Sequence, residues 1–408
     1  MSNRNRVFPL YYSSRYEASP VRDWLVDFDA WLARQAYNRT SHRTHLSVAR
    51  HVLEQHSPVD RQRVFARSEF RRMFQPFEQD YFHRASIGAF RRFLIESGQW
   101  HDDSPAGPCA DLVEAFRLHG LDMRGLSEAH QRRQAETIDD FLRRSLVGGK
   151  ILADVAVADI EAYTAHCAQF LQRPTMMSRL CSLRAFFRFC RDRGVSSLNP
   201  DGIDLPRKYR HEKPPRAIAW ELTQQLLDSI DRSDLLGERD YTLLYLMAHY
   251  GLRTGEVAAL TLDSIDWTQH TLRIVQSKTR STLVLPMAEQ VEQVLQRHVR
   301  QGRPSTGRRE LFLILTAPIR PMPVTAIGSM FQRRVCASGL PLRGASPYGL
   351  RHGFAMRLLE HGVGMKAIGD LMGHASLEST SVYLRLHTEA LRGVALSLPA
   401  GTARRAAS

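Results

Sequence analysis

Residues 205–216, LPRKYRHEKPPR, constrain this chain more than any other stretch. Three prolines and five Lys or Arg in twelve residues exclude a helix interior or a central strand, because proline fixes φ and removes a backbone donor. What remains is a stiff basic connector, read either as a solvated link or as a strap lying along a polyanion. It splits 408 residues, too many for one ordinary domain, into a helical part and a mixed part.

The charge balance suggests what a strap would lie on. Fifty-six Lys and Arg against 42 Asp and Glu give a formal net charge of +14 and an isoelectric point near 10.0. Such an excess draws phosphate-rich polymers, although ribosomal and membrane-surface proteins share it. With 43% apolar and 24% charged residues, the chain can bury real cores. The five cysteines (Cys109, Cys167, Cys181, Cys190, Cys336) form no CxxC pair. That argues against a disulfide scaffold or a structural zinc site and fits a reducing compartment. No apolar run approaches the roughly 18 residues of a membrane span, and MSNRNRVFPLYYSSR lacks the apolar stretch of a signal peptide. A cytoplasmic protein with no membrane partner is the expectation.

Ahead of the connector the periodicity is helical. Leu180, Leu183, Phe186, Phe187 and Cys190 form an apolar stripe at helix spacing within residues 175–194,. Arg179, Arg184, Arg188, Arg191 and Arg193 fill much of the remaining surface, facing either DNA or solvent. Ile160, Tyr163, Cys167 and Leu171 mark another helix over 159–171, and a third is expected around 137–147. SIGAFRRFLIESG at 86–98 aligns with SLRAFFRFCRDRG at 182–194, a constant offset of 96 residues. Ser19-Pro20 opens a helix with Trp24, Leu25, Phe28, Trp31 and Leu32 on one face, and a second follows over 41–55. Residues 1–105 are therefore expected to form a small helical domain of the same build as 106–205; chance likeness of two arginine-rich amphipathic helices is the alternative.

Past the connector the pattern is α+β and mostly helical. An apolar helix over 240–250 stops at Gly251. Residues 271–278 and 281–287 alternate and read as a β-hairpin turning near Thr279-Arg280. Residues 311–315 make a short strand or a helix end. Helices are expected over 324–338, 347–361, 364–372 and 379–396. Four polar residues sit where these helices begin or end. Arg253 in YGLRTGEVAAL follows Gly251 and precedes a helix for which Thr254 is a candidate cap. Arg351 in SPYGLRHGFA lies in the first turns after Ser346-Pro347. His374 follows Gly373 in LMGHAS, and Tyr383 stands nine residues later. Helix starts and paired arginines both suit phosphate. Taken singly, each residue has a bland reading: a surface ion pair, a turn histidine, a half-buried core tyrosine.

As an ordered set, G-L-R-T-G-E, Y-G-L-R-H-G-F-A, L-M-G-H and the following tyrosine resemble the signature of the tyrosine recombinase (phage integrase) family. The spacing agrees: 98 residues between the arginines, 23 from Arg351 to His374, and nine to Tyr383. Lys278 stands on the hairpin where the family keeps its catalytic lysine. The resemblance implies a mostly α protein: helical core-binding (SAM-like) domains plus an α+β catalytic domain with a small antiparallel sheet. The implied parts are an N-terminal helical domain (1–105), a core-binding domain (106–205), a basic linker (206–216), a catalytic domain (217–398) and a disordered tail (399–408).

The roles implied by the resemblance follow position by position. Tyr383 attacks the scissile phosphodiester, leaving a 3′-phosphotyrosine and a free 5′-hydroxyl. Arg253 and Arg351 stabilise the charge that builds on the phosphate oxygens, Lys278 protonates the departing oxygen, and His374 hydrogen-bonds a phosphate oxygen. Glu256 orients the site, and His352 is structural rather than catalytic. No cofactor or metal is required, because the phosphotyrosine conserves the bond energy of the cut strand. Two positions depart from the family. Tyr348 stands where it usually has His, and a phenol, ordinarily titrating near about 10, is a poor base at neutral pH. Tyr348 is expected to keep a hydrogen bond to phosphate with the base role weakened or shared. Gly353 replaces the usual Ser or Thr, removing a helix-packing hydroxyl.

The implied partner is double-stranded DNA, gripped by a clamp of two domains. Arg179, Arg184, Arg188 and Arg191, with Arg207, Lys208, Arg210 and Lys213 of the linker, are the candidate DNA contacts. A dimer on each site and a tetramer in synapsis are expected, with related recombinases as further partners, in a bacterial cytoplasm at the nucleoid. The final helix docks on a neighbouring protomer or folds back on its own. Two other functions share the fold: DNA relaxation of the type IB topoisomerase kind, and a non-catalytic DNA-binding accessory role.

Overall fold

The computed structural model describes residues 13–35, 37–56, 60, 62–78, 81–103, 106–123, 127–205, 217–276 and 281–373. The chain divides into two compact units. One comprises Met1–Arg63, Met73–Gly98 and His211–Ser408, the other Val64–Arg72 and Gln99–Arg210.

The first helices are α1 (Ser13–Glu17), α2 (Arg22–Arg34) and α3 (Arg39–Gln55), the last capped by the Asn38 side chain. All five apolar residues expected on one face of α2 are buried there. The short strand β1 (Phe65–Ala66) leads into α4 (Arg67–Phe74), and α5 (Tyr81–Glu96) precedes β2 (Trp100–His101). Trp24 and Phe28 pack edge-on against Phe90 at centroid distances of 6.4 and 5.0 Å. β1 and β2 pair in parallel.

The second unit is built mainly on α6 (Ala110–Asp122), α7 (Glu128–Ser145), α8 (Val157–Ala168) and α9 (Arg173–Asp192). Its core takes Phe116 from α6, Phe141 from α7, Tyr163 from α8 and Phe186 and Phe187 from α9. The offset of 96 residues in the sequence recurs in the packing. Ser86, Ile87, Phe90, Phe93 and Leu94 of α5 are buried, as are Ser182, Leu183, Phe186, Phe189 and Cys190 of α9. Both helices stop before a left-handed glycine, Gly98 at φ 73° and Gly194 at φ 69°.

The C-terminal region opens with α10 (Trp220–Asp228) and α11 (Leu235–Tyr250), then the short α12 (Thr254–Ala258). α11 starts earlier than its apolar run because the Asp234 side chain caps it, accepting from the Gly237 N–H at 2.6 Å. Strands β3 (Ile265–Asp266), β4 (Thr271–Val275) and β5 (Thr282–Pro286) form an antiparallel sheet in that order, Leu272 facing Leu285. α13 (Glu289–Arg297) follows, and residues 311–315 resolve into β6 (Leu313–Ile314), paired with β7 (Arg320–Pro321). α14 (Val324–Ser338), α15 (Tyr348–Glu360) and α16 (Met365–Leu371) complete the order. One core joins α10, α11, α13, α14 and α15 to the inward side of the sheet, through residues such as Leu244, Leu272, Leu295 and Phe331. Among the described residues no helix is long and apolar enough to cross a membrane.

Candidate active site

The site grows from the end of α11. Gly251 caps that helix at φ 61°, and a Cβ there would lie 2.4 Å from the Phe354 ring of α15. Only glycine permits both the left-handed turn and the close approach. The chain then runs through Leu252 to Arg253, which is itself the N-cap of α12. Thr254 is therefore inside the helix and not its cap. The cap works through Glu256, whose carboxylate accepts from the Arg253 backbone N–H at 2.8 Å and from its Nη1 at 2.6 Å.

Arg351, in the first turn of α15, is only 2% exposed. Its Nη1 donates to the Gly251 carbonyl and its Nη2 to the Met372 carbonyl. Its guanidinium also lies 3.8 Å from Glu256. Arg253 Nη2 donates to the Gly373 carbonyl at 3.1 Å. Segments around 251–256, 351 and 372–373 thus meet at one place. Among the described residues two guanidinium charges face one buried carboxylate there, which leaves one positive charge over. Neutral carbonyls aim Arg253 Nη2 and both Nη groups of Arg351 without cancelling it.

A fourth segment joins them. Gln276, just past β4 and 5% exposed, lies so close to Gly373 that a Cβ on that glycine would sit 2.3 Å from its amide. The sequence reading missed Gln276. The signal was there: Leu272, Ile274 and Gln276 continue the inward side of the strand at period two. Lys278 and His374 themselves lie outside the described residues, as do Tyr383, the linker residues Arg207, Lys208, Arg210 and Lys213, the hairpin turn, the helix expected over 379–396 and the tail. The residues leading into Lys278 and His374, Gln276 and Gly373, are held against each other.

Tyr348 begins α15 and is 46% exposed. Its ring meets His352 edge-on at 4.6 Å. Burial, and then the positive charge of Arg351, push the His352 imidazole down to about 4, so it stays neutral near pH 7. Gly353 does more than remove a hydroxyl: a Cβ there would lie 2.3 Å from the Ile218 carbonyl oxygen. The Ile218 N–H also donates to the Gly349 carbonyl at 3.1 Å. The chain entering this region is laid directly on the helix that carries Arg351.

The arginines of α9 divide by environment. Arg179 points inward, its Nη1 2.7 Å from Asp140 and hydrogen-bonded to the Tyr163 hydroxyl. Burial and the Asp140 carboxylate raise the Tyr163 phenol well above its ordinary range. Arg184 and Arg188 both reach Asp201 at 3.1 Å, while Arg191 is exposed.

Comparisons with known proteins agree on one lineage. Residues 219–390 match the model of the phage integrase family. The chain is 43% identical to a putative integrase/recombinase, y4gC, of Sinorhizobium fredii over 164 residues, 40% of this chain and 84% of that protein. It is 32% identical to the tyrosine recombinase XerD of Xanthomonas campestris, over 52% of this chain and 67% of that one. The fold is that of the integrase of transposon Tn1549, solved in complex with a circular intermediate DNA. The TM-score is 0.54 at 22% identity, over 68% of this chain and 99% of that one. With two arginines gathered on one carboxylate, the family model matched over residues 219–390 and a relative 32% identical over 67% of its own length, the chain belongs to the tyrosine recombinase (phage integrase) family, enzymes that break and rejoin DNA strands in site-specific recombination.

Proposed function

We propose that this recombinase exchanges strands through a 3′-phosphotyrosine on Tyr383 and serves a mobile DNA element. The observation that carries the reading is the meeting of Arg253 and Arg351 on Glu256, with Gly373 and Gln276 drawn to the same place. In the proposed step Tyr383 gives up its phenolic proton to solvent, and its oxygen bonds to phosphorus as the bond to the 5′-oxygen breaks. Lys278 supplies the proton that makes the departing oxygen a hydroxyl. Arg253, Arg351 and His374 hold the other phosphate oxygens, where preorganised donors act most strongly. Rejoining runs the same step backwards with a 5′-hydroxyl from the other duplex, so the reaction consumes no nucleotide. Tyr348 donates a hydrogen bond to phosphate.

In this reading residues 106–205 and 217–398 clamp duplex DNA, with linker 206–216 along its backbone, as dimers on a site and tetramers in synapsis. The circular-intermediate DNA bound by the Tn1549 integrase supports transposon-type chemistry. The test is a nicked suicide duplex carrying the element's own site. Wild type should accumulate a covalent adduct that Tyr383→Phe does not form; an adduct with Tyr383→Phe would refute the nucleophile assignment. A protein that relaxed supercoils but never recombined two sites would instead be a topoisomerase.

A further inference from the structure

Gln276 breaks the pattern of its own strand. The inward positions of β4 are the buried Leu272 and Ile274, and Gln276 continues their side of the chain, buried as they are,. A buried amide costs free energy that an aliphatic side chain would not, unless its polar atoms find partners. One partner comes from the returning arm of the hairpin. The Ser281 hydroxyl donates to Gln276 Oε1 at 3.0 Å, while the Gln276 backbone N–H donates to the Ser281 carbonyl at 2.9 Å. Side chain and main chain of Gln276 are thus both tied to the same residue.

The end of that amide is set against the turn after α16. A Cβ on Gly373 would lie 2.3 Å from both Nε2 and Oε1 of Gln276, and 2.5 Å from the carbon between them. Gly373 stands at φ 58°, and its N–H donates to the Asp370 carbonyl at 3.0 Å. Its own carbonyl accepts from Arg253 Nη2 at 3.1 Å, and the Met372 carbonyl before it accepts from Arg351 Nη2. Adjacent carbonyls of one turn therefore aim both guanidinium groups, and Gln276 backs that turn from the sheet. An amide suits the task, because it supplies polar atoms without a charge that would oppose the arginines.

We propose that Gln276 is a positioning residue for strand cleavage: held between the hairpin and the Met372–Gly373 turn, it fixes the two carbonyls that point Arg253 and Arg351. The role rests on the reading of those arginines as the groups that hold the scissile phosphate. The test uses the full chain and two suicide duplexes, one with an ordinary scissile phosphate and one with a neutral methylphosphonate in its place. Strand cleavage is followed in single turnover at saturating DNA. The methylphosphonate lacks the charge that the guanidinium groups meet, so a fault in aiming them should matter less on it. A general loss of fold slows both duplexes alike. Gln276→Ala should cut the ordinary duplex about tenfold more slowly or worse, since a misplacement of about 1 Å can cost about a hundredfold. Most of that deficit should vanish on the methylphosphonate.

Ser281→Ala, at an exposed position, serves if Gln276→Ala fails to fold. It unties the amide without emptying its space and should show the same selective deficit in smaller measure. Gly373→Ala should also be slow, because its Cβ displaces the amide. The double variant Gly373→Ala/Gln276→Ala should be no slower than the slower single one, since both changes remove one contact. An unchanged rate in both Gln276→Ala and Ser281→Ala, equal deficits on the two duplexes, or losses that multiply in the double variant overturn the proposal. Arg253→Ala reads the underlying assignment separately. If its own deficit does not shrink on the methylphosphonate, the arginine reading fails; if it shrinks and that of Gln276→Ala does not, the positioning role alone is lost.

Discussion

Replacing Gly353 with alanine tests how the Arg351 helix is held. The new Cβ would stand 2.3 Å from the Ile218 carbonyl oxygen, about 1 Å inside ordinary contact for carbon and oxygen. The obstacle is backbone, so no rotamer change relieves it. Either Ile218 lifts away and its 3.1 Å hydrogen bond to Gly349 breaks, or α15 shifts. Overpacking of this kind costs about 1–3 kcal/mol and the lost hydrogen bond about 1 kcal/mol. The gain in helix propensity, about 1 kcal/mol, offsets part of it. A net loss of about 2 kcal/mol is expected, a fall in thermal midpoint of roughly 4–8 °C for a region of this size.

Urea denaturation of wild type and variant measures that loss directly. Gly328→Ala is the control, because a Cβ at Gly328 in α14 meets nothing within 4 Å; it should be neutral or slightly stabilising. Covalent-adduct formation should slow in Gly353→Ala, with duplex affinity little changed, because the shifted helix carries Arg351. A variant as stable as the Gly328→Ala control would refute the reasoning, since the carbonyl could not then occupy that space.

Three further outcomes are expected. Burial pushes the His298 imidazole down to about 4 from its ordinary 6.5, so folding keeps it neutral while the unfolded chain protonates. Its contribution is whole above pH 6.5 and is lost as pH falls through the window down to about 4; between pH 7 and 5 the loss is roughly 2 kcal/mol. His298→Gln should flatten that part of a stability-against-pH curve, and an unaltered curve would exclude His298 as its source. Arg179→Ala should lower urea stability by about 1–2 kcal/mol through the Asp140 and Tyr163 contacts, whereas Arg191→Ala should leave stability alone; equal stabilities would show the inward network to be idle. Tyr348→His should raise the cleavage rate between pH 6 and 9 by about tenfold or more if a missing base limits it, and a flat response in a single-turnover assay would set that idea aside.

Much of the fold was readable because its helices are amphipathic in the ordinary way. The α2 stripe was complete in the sequence, the α9 stripe lacked only the apolar Met176 and Phe189, and the span over 324–338 coincides with α14. α7 was read too short because its buried face includes Gln131 and Gln134, which interrupt an apolar stripe without interrupting the helix. β3 has two residues, too few for a period to register. Within the site, Arg253 and Arg351 stood out as side chains in a recognisable order. What holds them did not, because the Gly251, Met372 and Gly373 carbonyls belong to the backbone and carry no residue code. Gly353 misled for a similar reason. Its residue type suggested something missing, while its significance lies in the carbonyl of Ile218, 135 residues earlier.

That difference bears on how the site keeps its charge. Had carboxylates alone oriented the two arginines, each fixed N–H group would have come with a neutralising partner, and little attraction for phosphate would remain. Among the described residues one carboxylate serves both guanidinium groups, at 2.6 Å to Arg253 and 3.8 Å to Arg351, and three carbonyls accept from them as well. Carbonyl oxygens hold direction through dipoles and leave the net charge in place. The cost is that the donors are only as well placed as the backbone turns that present those carbonyls. Gly251 and Gly373 sit at φ 61° and 58°, and a Cβ on either would strike Phe354 or Gln276. The site is therefore sensitive to substitution at two glycines, because their backbone sets where the arginines point.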